Sequence, residues 1–531
     1  MNRPKFYIYL PLFFALILVL GIFIGRSMSF FRSAPVLNTG NSGDKLEQIL
    51  RYVAEQYVDT IKPKELVDKT IVAMLQNLDP HSAYITSDEL QAMNEPLQGE
   101  FEGIGVEFNI VDDTIRVIDA ITGGPAEAVG MQAGDKIIKV DGKAVAGVKI
   151  TNKNVMEKLK GAGGTKVKVD VLRKGRKQLL EFTITRGTIP IYSIDVAYMV
   201  TPKTGYIKIS RFASTTYDEY LQAFAKLQSQ GMNKLIIDLR GNGGGYLNTA
   251  VDIADEFLSK GKGIVYTEGK ARPRKDYMAT SRGQFEAGEL IVLIDDGSAS
   301  ASEILAGALQ DNDRATIIGR RSFGKGLVQE QTEFADGSAI RLTIARYFTP
   351  TGRSIQKPYA NGVHAYYDEE YSRYSNGELE SADSIKVTDS LKYVTPGGKI
   401  VYGGGGIIPD VFVALDTAGR SRYLTEVVYN GLVNDFAYEY ADRERARLQE
   451  YKTPANFIKS FQIDEQLMNS FIAYAERYKV SRNDAQIQAS AKVLKTQLKA
   501  LIARNIWNNE GFYPALQQQD NVLMKAIELL K

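Results

Sequence analysis

The chain contains no cysteine and only two histidines, and its charges nearly cancel, with 65 Lys and Arg against 63 Asp and Glu for a net +2. Lack of cysteine excludes disulfides, thiolate metal sites, a cysteine nucleophile and lipidation on cysteine. The balanced charge leaves no electrostatic footprint for nucleic acid. Neither His81 nor His364 has an acidic partner at a useful spacing, which disfavours a Ser-His-Asp triad. His81, beside Pro80, reads as a hydrogen-bonding loop residue, and His364 lies in a polar stretch that reads as exposed. An apolar content of 44% and a charged content of 24% are globular values, and 531 residues call for several domains.

Long apolar runs are scarce too. The one that stands out covers residues 6–24 without a charge, after Arg3 and Lys5 and before Arg26 and Arg32. At about 1.5 Å per residue, a helix over that run matches a bilayer core of about 30 Å. No A-x-A-like cleavage site follows, so an uncleaved signal anchor is favoured over a cleaved signal peptide for residues 1–32. Positive charge flanks both ends, so the charge rule orients the segment weakly. The expectation is a cell-envelope protein, anchored in the inner membrane with its bulk in the periplasm or otherwise outside the cytoplasm.

Texture divides the rest of the chain. Residues 33–43 are rich in Ser, Asn, Gly and Pro and read as a linker. Two amphipathic helices follow, one with Leu46, Ile49, Leu50, Val53 and Tyr57 on a face, the next starting at Pro63 with Leu66, Ile71, Met74, Leu75 and Leu78. The loop L-D-P-H-S at 78–82 ends this helical part, taken as residues 33–98. Residues 99–187 carry short β-branched runs between glycine turns, with one helix at about 152–160, and form a β-rich module. Residues 188–415 mix α and β: strands at 235–239 and 290–294, a helix at 301–309, and a hairpin of 327–334 with 339–348 around Asp336-Gly337. Within them, the polar, tyrosine-rich residues 360–395 read as an exposed insertion. Residues 416–531 are helical, with Leu424, Val427, Val428, Leu432 and Phe436 on one stripe. This tail either supports a homo-oligomer or covers the core.

With histidine and cysteine scarce or absent, a serine–lysine pair is the most economical nucleophilic chemistry. Ser300 lies in G-S-A-S-A-S-E-I (297–304), just after an apolar strand and just before a helix. That setting resembles a nucleophile elbow without the G-x-S-x-G string, and the helix N-terminus offers N–H groups and the positive dipole end to an oxyanion. Ser298, Ser300 and Ser302 are equally what a helix N-cap uses, and local sequence does not separate the two readings. Lys325, between Gly324 and Gly326 at the head of an alternating apolar run, can serve as base once burial makes it neutral. At period two, Lys325 and Gln329 share a strand face, so Gln329 can orient the amine. The rival is a phosphate-binding loop, because G-R-R-S-F-G-K-G (319–326) nearly matches G-x-x-x-x-G-K-[ST]. Gly326 replaces the hydroxyl, however, and a strand pattern follows where a helix is required. In G-N-G-G-G (241–245), Tyr246 stands where a dinucleotide fingerprint needs its third glycine. Gly244 and Gly245 are better read as backbone donors, completing an oxyanion hole with the N–H of Ala301.

The chain resembles the carboxy-terminal processing peptidases, the tail-specific serine–lysine proteases. The matching strings are L-D-P-H-S-A-Y (78–84), F-E-G-I-G-V (101–106), D-L-R-G-N-G-G-G (238–245), G-S-A-S-A-S-E-I (297–304), F-G-K-G-L-V-Q (323–329), Y-F-T-P-T-G-R-S-I (347–355) and G-G-I-I-P-D (405–410). The resemblance implies an α/β core with α+β elements, like the crotonase-like and ClpP-like fold, an inserted PDZ domain at 99–187, and helical segments at both ends. It implies Ser300 as nucleophile, Lys325 as general base and Gln329 as its partner, with no metal or organic cofactor. The PDZ domain would take a protein or peptide substrate by its C-terminus, with Gly103, Ile104, Gly105 and Val106 as the carboxylate loop. Gly243 departs from the proline the family commonly carries, and 360–395 lengthens a segment usually shorter. The alternative function is a catalytically inactive PDZ adaptor tethered to the membrane.

Overall fold

Runs such as L-I-I at 235–237 and L-I-V-L-I at 290–294 are apolar at every position because their strands are covered on both faces. The computed structural model describes residues 10–28, 42–121 and 123–531. They fall into two compact units, Met1–Leu75 and Gln76–Lys531. The first contains the helices Leu10–Met28, Ser42–Gln56 and most of Pro63–Gln76. Among the described residues no helix is long and apolar enough to cross a membrane. The apolar run expected at 6–24 begins outside the described residues, and the linker expected at 33–43 lies almost wholly outside them.

In the second unit the central sheet has six strands. Ile194–Met199 runs antiparallel to Thr204–Ile209, and parallel neighbours follow in the order Lys234–Asp238, Glu289–Ile294, Thr316–Gly319 and Val411–Phe412. Side chains alternate between two cores at period two. Leu235, Ile237, Val292, Ile294 and Ile317 pack with residues of the helices Thr216–Ser229, Leu247–Asp255 and Ala301–Asp311. Ile236, Ile291, Leu293 and Ile318 pack on the other face with Val522, Leu523 and Ala526 of the last helix, Asn521–Leu529. The end of the tail thus covers the core. Asp520 caps that helix by accepting from the N–H groups of Val522 and Leu523, and its carboxylate also receives Arg240 at 2.7 Å. Arg240 in turn pairs with the buried Asp238 at the end of its strand. Burial opposes ionisation of Asp238, yet Arg240 and Lys208 hold its carboxyl well below the usual range.

A second sheet pairs Ala339–Phe348 with Leu327–Glu333, Gly263–Gly269 and the short strand Ala83–Ile85. That last strand, and the helix Ser87–Gln98 after it, extend structure beyond the L-D-P-H-S loop. The β-rich module forms its own sheet and core around Ile115, Val117, Ile137, Val169 and Ile184. Its entry and exit strands, Glu100–Gly103 and Gly187–Pro190, pair with each other.

Two expectations are corrected. The tail stripe is broken: helix Arg422–Tyr429 ends before Gly431, whose φ of +71° suits glycine, and Leu432–Arg443 is a separate helix. Val428 is consequently exposed while Val427 and Phe436 are buried. Residues 360–395 are also not simply an exposed insertion. Helix Val363–Ser375 buries Tyr366 and Arg373 against the core, and Glu378 and Leu379 are buried after it.

The Y-F-T-P-T-G-R string is anchored by a fully buried ion pair, Arg353 to Asp311 at 2.7 Å, at the end of the helix that starts after Ser300. Asp311→Ala leaves Arg353 charged and unpaired in the core. It is expected to cost about 3–5 kcal/mol in a urea unfolding curve, and a loss below 1 kcal/mol would contradict this role.

Candidate active site

Three neighbouring parallel strands end on the same side of the sheet, and each delivers one of the expected loops. Lys234–Asp238 leads into the glycine loop 241–245, Glu289–Ile294 into the turn bearing Ser300, and Thr316–Gly319 into residues 320–326 with Lys325. Carboxyl ends of parallel strands are where such sheets form their clefts. Here the cleft is a cavity of about 470 Å³ lined by Gly244, Gly245, Ser300, Lys325, Gln329 and Arg341, among others.

Ser300 takes φ +56° and ψ −112°, a conformation costly for a residue with a Cβ, at the first turn of helix Ala301–Asp311. Its two neighbours have other duties. Ser298 donates to the Leu239 carbonyl at 2.8 Å and Ser302 to the Asn242 carbonyl at 2.9 Å. Of the three, Ser300 is the one that lines the cavity. The N–H groups of Ala301 and Gly245 have no hydrogen-bond partner among the described residues, whereas the Gly244 N–H donates to Asn242 Oδ1 at 2.8 Å. Gly244 therefore serves by closeness and not as a free donor: a Cβ on it would lie 2.8 Å from Ser300 Cβ and 2.9 Å from the Ala301 nitrogen. Asn242 is fully buried and braces the loop, accepting from the Ala299 N–H and donating to the Ile209 carbonyl.

Lys325 is half-buried, and among the described residues no hydrogen bond or ion pair reaches its amine. Burial pushes its ammonium below the ordinary lysine range, helped by the charge of Arg341 and opposed by Glu303 and Asp79. That shift makes a neutral amine accessible. Lys325 and Gln329 do not share a strand face as expected, because the strand begins only at Leu327 and a register shift lies between Val328 and Gln329. Lys325 and Gln329 nevertheless line the same cavity. Gln329 donates to Thr343 Oγ1 at 3.3 Å, and Thr343 Oγ1 donates to Asp79 Oδ1 at 3.1 Å. The L-D-P-H-S loop, through Asp79 and Ser82, is thus a support for Gln329.

Two residues given no separate role by the sequence reading join serine to lysine. The buried Glu303 carboxylate accepts from the N–H groups of Ser300 (2.8 Å), Gly324 (2.8 Å) and Lys325 (2.9 Å) and from the Ser322 hydroxyl. Burial pushes this carboxyl upward, against those four bonds, which favour the anion. The Tyr347 hydroxyl reaches the carbonyl of Ser300 (3.1 Å) and that of Lys325 (2.6 Å). The capping-box spacing of Ser300 and Glu303 was the available signal for the first, and nothing local marks the second.

His81 is no base for Ser300: its Nε2 pairs with the Tyr366 hydroxyl at 2.8 Å, and His364 is exposed. Among the described residues no cluster of His, Asp and Glu is arranged to hold a metal ion. In the β-rich module, Gly105 has φ +75° and Ile104 is buried. The carbonyls of Ile104 and Gly105 are taken by the N–H groups of Ala126 and Ile121, while their own N–H groups have no partner among the described residues. Val106 opens the edge strand Val106–Val111. A free-N–H loop leading into a sheet edge suits a peptide carboxylate and strand addition.

Comparison with known proteins assigns these parts. Residues 203–365 match peptidase family S41, residues 103–184 match the PDZ domain, and residues 423–508 match a family of unknown function. The chain is 37% identical over 354 residues to a carboxy-terminal-processing protease of Bartonella bacilliformis, covering 64% of this chain and 79% of that one. It is 35% identical over 322 residues to the carboxy-terminal processing protease CtpA of Bacillus subtilis, covering 60% and 68%. A solved photosystem II D1 C-terminal processing protease is 27% identical, with a TM-score of 0.37 over 71% of this chain and 87% of that one.

Two outcomes follow from the geometry. A Cβ on Gly245 would lie 2.1 Å from the Phe212 carbonyl oxygen, whereas one on Gly243 meets nothing within 4 Å. Gly245→Ala should therefore lose at least tenfold in peptide hydrolysis. Gly243→Ala should keep activity and gain about 0.4–1 kcal/mol in thermal unfolding. Equal behaviour of the two variants would refute the assignment. Burial, with the nearby Lys325 charge, lowers His81 from 6.5 to about 4. Between those values the unfolded chain binds a proton that the folded chain refuses. Its contribution to stability is thus intact above about 6.5 and falls as pH drops toward about 4. His81→Gln should flatten the stability–pH slope in that window by up to one proton, and an unchanged slope would count against it.

Proposed function

The chain belongs to peptidase family S41, with the carboxy-terminal processing proteases as its relatives, and from that premise we propose that it cleaves proteins through Ser300 and Lys325. The observation that carries this is their convergence on one cavity, with backbones joined by Glu303 and Tyr347. Neutral Lys325 accepts the Ser300 hydroxyl proton as Oγ attacks the scissile carbonyl. The resulting oxyanion is held by the N–H groups of Ala301 and Gly245. Collapse expels the amine, which takes the proton from Lys325, and leaves a Ser300 ester. Water, deprotonated by Lys325, then hydrolyses that acyl-enzyme and regenerates the hydroxyl. Gln329, held by Thr343 and lining the same cavity as Lys325, is in this reading the group that orients the amine when substrate is bound. Among the described residues no hydrogen bond joins Ser300 Oγ to Lys325 Nζ; in this reading that is the resting arrangement, tightened by substrate.

The PDZ domain selects the substrate by its C-terminus, with the free N–H groups of Ile104 and Gly105 on the terminal carboxylate. The parallel strands and covering helices support a crotonase-like and ClpP-like plan for the core. The apolar run at 6–24 supports tethering to the inner membrane with the site in the periplasm.

Ser300→Ala and Lys325→Ala should each reduce cleavage of an unfolded protein substrate by at least a thousandfold, with unchanged circular dichroism. Because the Lys325 pKa is lowered and the base acts when neutral, kcat/KM of the wild type should rise with pH along a limb below the ordinary lysine value of 10.5. Full activity in either variant would overturn the dyad. Absence of cleavage by the wild type, with C-terminal peptides still bound, would favour the inactive adaptor.

A further inference from the structure

The loop that carries Lys325 is flanked by glycines and would be loose by itself. In the folded chain, every backbone N–H and C=O of residues 322–326 is hydrogen-bonded. The N–H groups go to the Ile407 and Ser298 carbonyls, to the Glu303 carboxylate twice, and to Gln356 Oε1. The carbonyls of Gly324, Lys325 and Gly326 receive the Lys357 N–H, the Tyr347 hydroxyl and the Tyr347 N–H. The two remaining carbonyls, Ser322 and Phe323, receive Arg373 Nη1 at 2.9 Å and Nη2 at 3.0 Å.

Arg373 comes from the helix Val363–Ser375, the part of the chain expected to be an exposed insertion. It is 1% exposed. Its Nε donates to Glu369 Oε1 at 2.9 Å, and the same carboxylate holds Arg321 Nη2 and Lys357 Nζ, each at 2.9 Å. Arg321 is also held by Glu378. The inserted segment therefore grips the base-bearing loop from residue 321 to residue 323. The peptidase-family match ends at residue 365, so Arg373 and Glu378 lie outside it.

We propose that this inserted helix is a clamp on the base-bearing loop and that Arg373 is a positioning residue for Lys325, its guanidinium fork setting the loop through the Ser322 and Phe323 carbonyls. The inference rests on Lys325 acting as the base. Planar donors on a rigid helix can fix two adjacent carbonyls at once, which a single ammonium or amide cannot. Buried carbonyls that lose their donor turn toward whatever can satisfy them. Here that moves the glycine-flanked lysine and admits water to it, and a displacement near 1 Å is worth about a hundredfold in rate.

The test uses the full chain, with kcat and KM for a peptide substrate measured across pH. Arg373→Gln, polar but shorter and without the fork, is expected to lower kcat at least tenfold with KM within about twofold. It should also move the ascending limb of kcat/KM toward higher pH as the amine is rehydrated. Arg373→Lys should recover part of the loss. Simple destabilisation lowers the folded fraction and leaves the limb in place. A folded Arg373→Gln with wild-type kcat and an unmoved limb overturns the proposal. If that variant does not fold, Arg373→Lys, which keeps the charge but not the fork, decides, and a wild-type limb and kcat there overturn it equally. Lys325→Ala is measured alongside. Retained activity in it would refute the base assignment, whereas an inactive Lys325→Ala beside fully active Arg373 variants would refute the clamp alone.

Discussion

The arrangement of the site depends on the Glu303 carboxylate. It lies in the first turn of the helix that follows Ser300 and is buried, so its charge has to be satisfied by hydrogen bonds. Those bonds come from the backbone of Ser300 on one side and of Gly324 and Lys325 on the other. One anion therefore holds two loops that are adjacent only because their strands are neighbours in the sheet. Tyr347 repeats the connection on the carbonyl side. The nucleophile turn and the base loop are coupled at the level of the main chain before either side chain is considered.

The same economy governs the glycine loop. Asp295 accepts from the N–H groups of Gly241 and Gly297, and Asn242 links Gly244, Ala299 and Ser302. These buried polar groups bring the loop close enough to Ser300 that Gly244 has no room for a Cβ. The unusual φ of Ser300 is sustained by this frame. The N–H groups of Ala301 and Gly245 have no partner among the described residues, whereas those of Ser300, Ser302, Gly244 and Tyr246 on either side are all bonded.

Outer layers hold the frame in turn. The last helix of the tail closes one face of the sheet and is tied to it by Asp520 and Arg240. The L-D-P-H-S loop supports Gln329 through Thr343, and the helix Val363–Ser375 encloses the loop before Lys325. The PDZ domain enters and leaves through paired strands, Glu100–Gly103 with Gly187–Pro190, and has a core of its own.

Much of this was legible in the residues. The strands at 235–239 and 290–294, the hairpin around Asp336-Gly337 and the helix after Ser300 follow from apolar runs, turn residues and local spacing, which act over a few positions. The ordered motifs pointed to the family for the same reason, since each is a local string. The sequence by itself determined which side chains could do chemistry without cysteine or a histidine base, and that Ser300 and Lys325 were the candidates. Only the tertiary structure decided how they are held. Glu303, Tyr347, Asp79 and Arg373 act across 19 to 264 positions of separation, through hydrogen bonds that exist only once the strands are ordered in the sheet. It also decided that Gly244 is spent on Asn242, that a register shift separates Lys325 from the Gln329 strand face, and that a polar, tyrosine-rich segment is buried in part. A polar composition predicts exposure when nothing pairs with it. Arg373 and Glu378 are enclosed because each meets charge or carbonyls brought from elsewhere in the chain, and no local pattern records that meeting.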